Sequence, residues 1–178
     1  MKFRIENEGG LTRVADHVLN HLKKLVSESG SSNKAIIVGL CGNLGSGKTT
    51  FMKYFAKELG ITEEVTSPTF IMRRRFRLSG SENFPWKNLY HFDMYRVEST
   101  DELGPIGFDD TIANPENLVF IEWPEKIASA LPRKTTKINF TFIDENTREV
   151  EVIESPRASV ITNVFRRLAQ AFKNVFKK

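Results

Sequence analysis

The sequence predicts an α/β sandwich of three layers built on a mixed β-sheet, with an amphipathic helix appended at its C-terminus. Three observations predict it. A run with apolar residues at helical spacing is followed by a short apolar run, a glycine-rich loop and a second helical run, the order that starts a sheet with helices on its faces. The chain from about residue 70 to 153 is then rich in alternating or continuously apolar segments of strand length. Finally, 178 residues, 40% of them hydrophobic, suit one domain with a core that needs no staples. The expected division is a domain over 1–154 and a helical extension over 155–178.

The elements follow in order. "MKFRIENEGG" lacks the apolar segment of a signal peptide, and none is expected. "LTRVADHVLNHLKKLV" places Leu11, Val14, Val18, Leu22 and Leu25 on one stripe of an opening helix. "SESGSSN", Ser27 to Asn33, reads as a connector. Ala35 to Leu40 reads as a short buried strand, and Thr50 to Leu59 as a helix burying Phe51, Met52, Phe55 and Leu59, with Gly60 as its C-cap. "FIMRRRFRLSG" alternates, with Met72, Phe76 and Leu78 on one face and Arg73, Arg75 and Arg77 on the other. "SGSENFPW" then turns the chain into a return strand, "NLYHFDMYRV". "NLVFIEWPEK" is a buried strand stopped by Pro124, with a short helix to about Ala130. "KINFTFIDENTREVEVI" is a second hairpin turning at "DENT".

Between the first strand and second helix lies "CGNLGSGKTTF", which fits the P-loop spacing of Gly42, four residues, Gly47, Lys48 and Thr49. The physics is anion capture. Glycines let the N–H groups of Leu44 to Thr49 curl around a phosphate chain, and the helix N-terminus adds partial positive charge. The phosphate-binding set is therefore Gly42, Asn43, Leu44, Gly45, Ser46, Gly47, Lys48, Thr49 and Thr50. Lys48 is expected to reach the β- and γ-phosphates, and the Thr49 hydroxyl to ligate Mg²⁺. The fold class thus narrows to a P-loop NTPase-like one.

Such a loop needs a strand-end carboxylate beside the metal. Glu122, closing "LVFIE", and Asp93, in "YHFDMYR", both qualify as metal ligands or as groups that orient an attacking water. Which of the two is the principal ligand stays open. No Asn-Lys-x-Asp guanine reader follows the loop, and "DELG", Asp101 to Gly104, follows no apolar strand, so ATP is favoured over GTP.

"GNLGSGKTTF", "SPTF", "HFDMYR" and "IEWPE" stand in this order over about eighty residues. Together they resemble the TsaE (YjeE) family of bacterial ATPases of tRNA threonylcarbamoyladenosine biosynthesis, over about residues 6–153. The resemblance implies a role in forming threonylcarbamoyladenosine at position 37 of tRNAs that read codons beginning with A. It implies slow Mg²⁺-dependent ATP hydrolysis, association with the TsaB–TsaD heterodimer, an indirect relation to tRNA, and no transferase activity of its own. It also implies that Ser67 to Phe70 form a switch-like loop near the γ-phosphate, that Asp93 and Glu122 serve the metal and attacking water, and that Trp123 lies beside the nucleotide. Thr12 and Arg148 match positions that approach the adenine.

Competing readings bear on the remaining residues. His91, between Tyr90 and Phe92 on a strand, reads as a satisfied structural histidine without chemistry. Arg73, Arg75 and Arg77 form either a solvated strand face or a partner surface. A small-molecule P-loop kinase is the rival function, but it needs an arginine-rich lid, and the arginine cluster here falls on a strand. Cys41, the single cysteine, excludes a disulfide framework, and no apolar run reaches membrane-spanning length, so a reducing cytoplasm is expected.

The net charge of +4 is unevenly spread: residues 155–178 hold six basic side chains and no acidic one, leaving the body at −2. From Ser155-Pro156, an N-cap and N1 pair, a helix aligns Val160, Ile161, Val164, Phe165, Leu168, Phe172, Val175 and Phe176. Its charges exclude a membrane span. It either folds back on the domain or meets a membrane surface or a partner.

Overall fold

The computed structural model describes residues 1–29, 33–79 and 84–153. The C-terminal helix expected over 155–178, and parts of the expected connector and hairpin loop, lie outside the described residues.

Seven strands form one mixed sheet: β1 (Lys2–Ile5), β2 (Ile36–Cys41), β3 (Arg73–Arg77), β4 (Asn88–Asp93), β5 (Asn117–Glu122), β6 (Thr136–Phe142) and β7 (Arg148–Ile153). The strand order is β1-β7-β6-β2-β5-β4-β3. The four central strands run parallel, and each edge is completed by antiparallel pairing, β3 on β4 at one side and β7 and β1 beyond β6 at the other. β5, between β2 and β4, is buried along its whole length, as its unbroken apolar run requires of a parallel strand covered on both faces.

One face of the sheet is covered by α1 (Leu11–Ser29) and α2 (Lys48–Glu58). Val14, Val18 and Leu22 of α1 and Phe51 and Phe55 of α2 meet Leu40, Leu118, Phe120 and Ile138 in one buried cluster. The opposite face carries α3 (Phe108–Ala113) and a 3-10 helix over Pro124–Ala130, and there Phe92, Val119 and Ile121 pack on Phe108 and Ile127. This is the three-layer α/β arrangement expected. Among the described residues no helix is long and apolar enough to cross a membrane.

The details differ from the sequence reading at several points. α1 continues through the first connector residues, with the Ser27 hydroxyl donating back to the Lys24 carbonyl. α2 starts at Lys48 instead of Thr50, which puts the loop's lysine and threonine in its first turn. Its C-terminus closes as expected on Gly60, at φ +76, where the Gly60 and Ile61 N–H groups return to the carbonyls of Lys57 and Ala56. β1 and α3 were not foreseen. Met72 does not share a face with Phe76: it adopts a left-handed φ of 56° just before β3, which turns it toward the second cluster. Arg74 lies over the Phe76 ring, 4.9 Å from its centre.

Phe55 packs against Phe51 and Phe120 with tilted rings, their centroids 5.9 and 4.6 Å away, in the α2–sheet interface. Phe55→Ala is expected to cost about 3–5 kcal/mol of folding free energy, measured by denaturant unfolding. A loss below about 1 kcal/mol would show that this interface closes over the cavity.

Candidate functional site

Three parallel strands end side by side where the site lies. Register pairs Leu40 of β2 with Glu122 of β5, and Glu122 with Asp93 of β4, so both carboxylates sit in one row beside the loop that leaves β2. The carboxyl ends of parallel strands are where open α/β sheets bind ligands, because the loops diverge there and leave a crevice.

The loop's shape is set by its glycines. A Cβ on Gly42 would lie 2.5 Å from the Phe140 carbonyl oxygen, on a backbone at φ +142, so no other residue fits. Gly47, at φ +104, caps α2 without a side-chain hydrogen bond, which leaves the first-turn N–H groups facing the crevice. A Cβ at Gly45 or Gly47 would meet nothing within 4 Å, so the loop is open on that side. The Ser46 hydroxyl is buried with no hydrogen-bond partner.

Lys48 is almost fully buried, its Nζ donating to the carbonyls of Gly42 at 2.7 Å and Asn43 at 3.0 Å and lying 4.1 Å from the centre of the Trp123 ring. Desolvation pushes its pKa down, against the opposing pull of Glu122 first and then Asp93. Trp123 reaches this position because the chain takes a left-handed turn at φ 59° directly after β5. Pro124 then fits against Gly39 of β2, where a side chain would meet the proline ring at 3.0 Å. The Tyr95 ring borders Trp123 at 5.2 Å.

Both carboxylates are 3% exposed. Glu122 Oε1 accepts from the Thr49 hydroxyl at 2.8 Å and lies 3.0 Å from His91 Nε2. Asp93 Oδ2 accepts from the hydroxyls of Ser67 at 2.6 Å and Thr69 at 2.5 Å, and Oδ1 accepts from the Tyr95 N–H at 3.0 Å. Asp93, Glu122, Thr49, Lys48 and Trp123, together with Leu44 to Thr50, Ser67, Thr69 and Tyr95, line one crevice of about 380 Å³.

A second cavity of about 390 Å³ adjoins it through Gly45, Ser46, Gly47 and Thr50. Its apolar walls are Ile5, Leu11 and Phe140, and its polar rim includes Asn7, Glu8, Glu145, Asn146 and Arg148. Arg148 is held at the β6–β7 turn by a hydrogen bond of 2.5 Å to the Asp144 carbonyl and by lying 4.3 Å from the Phe142 ring centre.

The sequence-predicted residues therefore divide. Leu44 to Thr50, Asp93, Glu122 and Trp123 converge on the first crevice. Gly42 and Asn43 contribute carbonyls to Lys48 and do not line either cavity. Arg148 lines the second cavity; Thr12 does not, and its neighbour Leu11 does. Cys41 is a free thiol whose pKa burial pushes up, which makes it a poor nucleophile. His91 was read as a satisfied histidine and is not one, since its Nδ1 is buried without a partner while its other nitrogen touches Glu122. The signal was available: two residues before Asp93 on a strand, it shares that residue's face.

The donors fit the groups the loop implies. An open loop with a partnerless hydroxyl, free helix N–H groups and a desolvated lysine suits a phosphate chain. One hydroxyl and two carboxylates suit a hard cation that keeps several waters, as Mg²⁺ does. Among the described residues no group of three or more His, Cys, Asp or Glu could enclose a metal.

Comparison with known proteins gives the family. The family model "Threonylcarbamoyl adenosine biosynthesis protein TsaE" matches residues 12–150. The chain is 32% identical over 170 residues to the tRNA threonylcarbamoyladenosine biosynthesis protein TsaE of Haemophilus influenzae, covering 96% of each. It is 37% identical over 118 residues to the TsaE of Treponema pallidum, covering 65% of this chain and 80% of that protein. The crystal structure of YdiB from Bacillus subtilis superposes with a TM-score of 0.60 at 24% identity, covering 94% of this chain and 95% of that one, a likeness of fold.

The lowered pKa of Lys48 has a consequence for stability. A cation whose folded pKa lies below its unfolded value weakens the fold while it is charged in both states. That penalty shrinks as pH rises through the lowered value and is gone above the ordinary lysine range. Lys48→Met is therefore expected to melt at a higher temperature than the wild type at neutral pH, with the gap narrowing toward pH 10–11. A lower melting temperature would show that the attraction of Glu122 and Asp93 outweighs desolvation.

Proposed function

Because the chain belongs to the TsaE family of threonylcarbamoyl adenosine biosynthesis proteins, we propose that it is a slow, Mg²⁺-dependent ATPase that works with the TsaB–TsaD pair in tRNA modification without being the transferase. The observation that carries this reading is the convergence of Lys48, Thr49, Asp93 and Glu122 on the crevice of an open P-loop. ATP is the substrate. Its phosphates lie along the N–H groups of Leu44 to Thr49, and Lys48 exchanges the carbonyls of Gly42 and Asn43 for phosphate oxygens. Thr49, Glu122 and Asp93 would hold Mg²⁺, which when bound draws charge from the phosphate oxygens. A carboxylate oxygen of Asp93 or Glu122 orients the attacking water and receives its proton. Trp123 borders the phosphates, and the second cavity, with Arg148 at its rim, takes the adenine side.

Hydrolysis is favoured over phosphoryl transfer to a small acceptor. Arg73 and Arg75 are tied to the Ile106 carbonyl and to Asn88, on the edge strand, and so supply no lid over the loop. The contact with tRNA is through the partner proteins, since the body of the chain has no excess positive charge. The setting is the cytoplasm.

The deciding experiment is reconstitution of tRNA modification from purified components with and without this protein, alongside ATP turnover with and without TsaB–TsaD. Modification that proceeds equally without it would overturn the proposal. Lys48→Ala is expected to lose nucleotide binding. Thr49→Ala is expected to lose turnover chiefly by raising the Mg²⁺ requirement. Asp93→Ala and Glu122→Ala are expected to lower kcat by about 100-fold or more while ATP still binds. A variant of either carboxylate with wild-type kcat would remove that residue from the chemistry.

The basic extension over 155–178 is proposed to act as a docking helix for a partner or an anionic membrane surface. A chain ending at Glu154 is then expected to keep its fold and ATP binding and to lose association with TsaB–TsaD or with anionic liposomes. Reduced thermal stability with unchanged association would show instead that the helix packs on the domain.

A further inference from the structure

We propose that His91 is a positioning residue that fixes the Glu122 carboxylate with one oxygen turned toward the crevice. The inference rests on the reading of Glu122 as a group that serves the metal or the water.

The geometry begins with strand alternation. Leu89, His91 and Asp93 point to the α1–α2 face of the sheet, and His91 pairs across to Phe120 on β5, two residues before Glu122. The imidazole is fully buried, so its hydrogen bonds are settled within the protein. Nδ1 has no partner and Nε2 lies 3.0 Å from Glu122 Oε1.

The contact requires a proton on Nε2. A ring protonated on Nδ1 alone would set the Nε2 lone pair against a carboxylate oxygen. With its proton on Nε2, the ring donates to Glu122. Oε1 then accepts two hydrogen bonds, from His91 and from Thr49, and both of the carboxylate's hydrogen bonds from described residues fall on that oxygen. The carboxylate cannot rotate without breaking both. Oε2 is left available to the crevice that Glu122 lines. A carboxylate held this way by a group behind it needs no reorganisation when its ligand arrives.

The test has two parts. His91 is one of three histidines, so a long-range ¹H–¹⁵N spectrum of the nucleotide-free protein can be assigned against the His91→Gln variant. The expected pattern has a proton on Nε2. A ring protonated on Nδ1 alone would overturn the proposal. The second part compares His91→Gln, whose amide N–H can reach the place of Nε2, with His91→Phe, which fills the space without a donor. His91→Phe is expected to shift the Glu122 Cδ resonance and to lower kcat about 10–100-fold with little change in the KM for ATP. His91→Gln should restore both to near wild-type. Equal loss in both variants, with melting temperatures matched to each other, would show that the ring serves only packing. If the wild type turns over no ATP, the functional reading fails, while the tautomer and the Glu122 resonance in the nucleotide-free protein still decide this one.

Discussion

Two carboxylates placed side by side inside a protein repel one another and are costly to desolvate, and the rest of the site is arranged around that constraint. Asp93 and Glu122 are register partners on adjacent parallel strands, so their proximity is fixed by the sheet and cannot relax by side-chain movement alone. Each is surrounded by donors. Ser67, Thr69 and the Tyr95 N–H serve Asp93; Thr49 and His91 serve Glu122; Lys48 is drawn toward both. These donors come from the first turn of α2, the loop before β3, β4 and the turn after it. The carboxylates thereby tie four separate segments to one point.

That arrangement holds only if the strand ends keep their register, and the two hydrophobic layers supply the rigidity. The aromatic cluster of Phe51, Phe55, Phe120 and Phe140 locks α2 to β5 and β6 on one face, while Phe92 meets Phe108 edge-on at 5.4 Å on the other. β4 and β5 are thus gripped on both sides along the residues that precede Asp93 and Glu122. The sheet's outer strands carry charge: arginines on β3, and on β1 a lysine that pairs with Glu149 of β7 at 2.9 Å. Charged side chains on outer strands discourage further strand pairing.

Much of this was legible in residues whose constraint is local. The P-loop spacing, the buried run of β5, the hairpin turn at "DENT" and the Gly60 cap each follow from a few neighbouring residues. Asp93 and Glu122 could be picked out as strand ends, although their adjacency depends on a pairing that no local pattern encodes. The misses share a cause. β1 is four residues long and gains its place only by pairing with β7, nearly the whole chain away. Met72 looked like a member of an alternating face, but its left-handed backbone, held by its N–H donating to the Pro68 carbonyl at 2.6 Å, breaks the alternation. The 3-10 helix over Thr100–Leu103 did carry a local sign, the capping box of Ser99 and Glu102. Thr12 was placed near the adenine by likeness alone; its neighbour Leu11 lines the second cavity and Thr12 does not.

Lys48 shows how such a site stays responsive. Its closest partners are two backbone carbonyls and an aromatic ring, all uncharged, and burial costs it more than the nearby carboxylates return. Phosphate would add attraction between full charges to what the neutral carbonyls give, so the exchange would be favourable inside the crevice. The Ser46 hydroxyl and the first-turn N–H groups of α2 stand in the same position, buried or half-buried donors short of an acceptor. A single phosphate chain would satisfy all of them together. Under the proposed function the loop would hold its donors in place beforehand, with the sheet that fixes the two carboxylates supplying the rigidity.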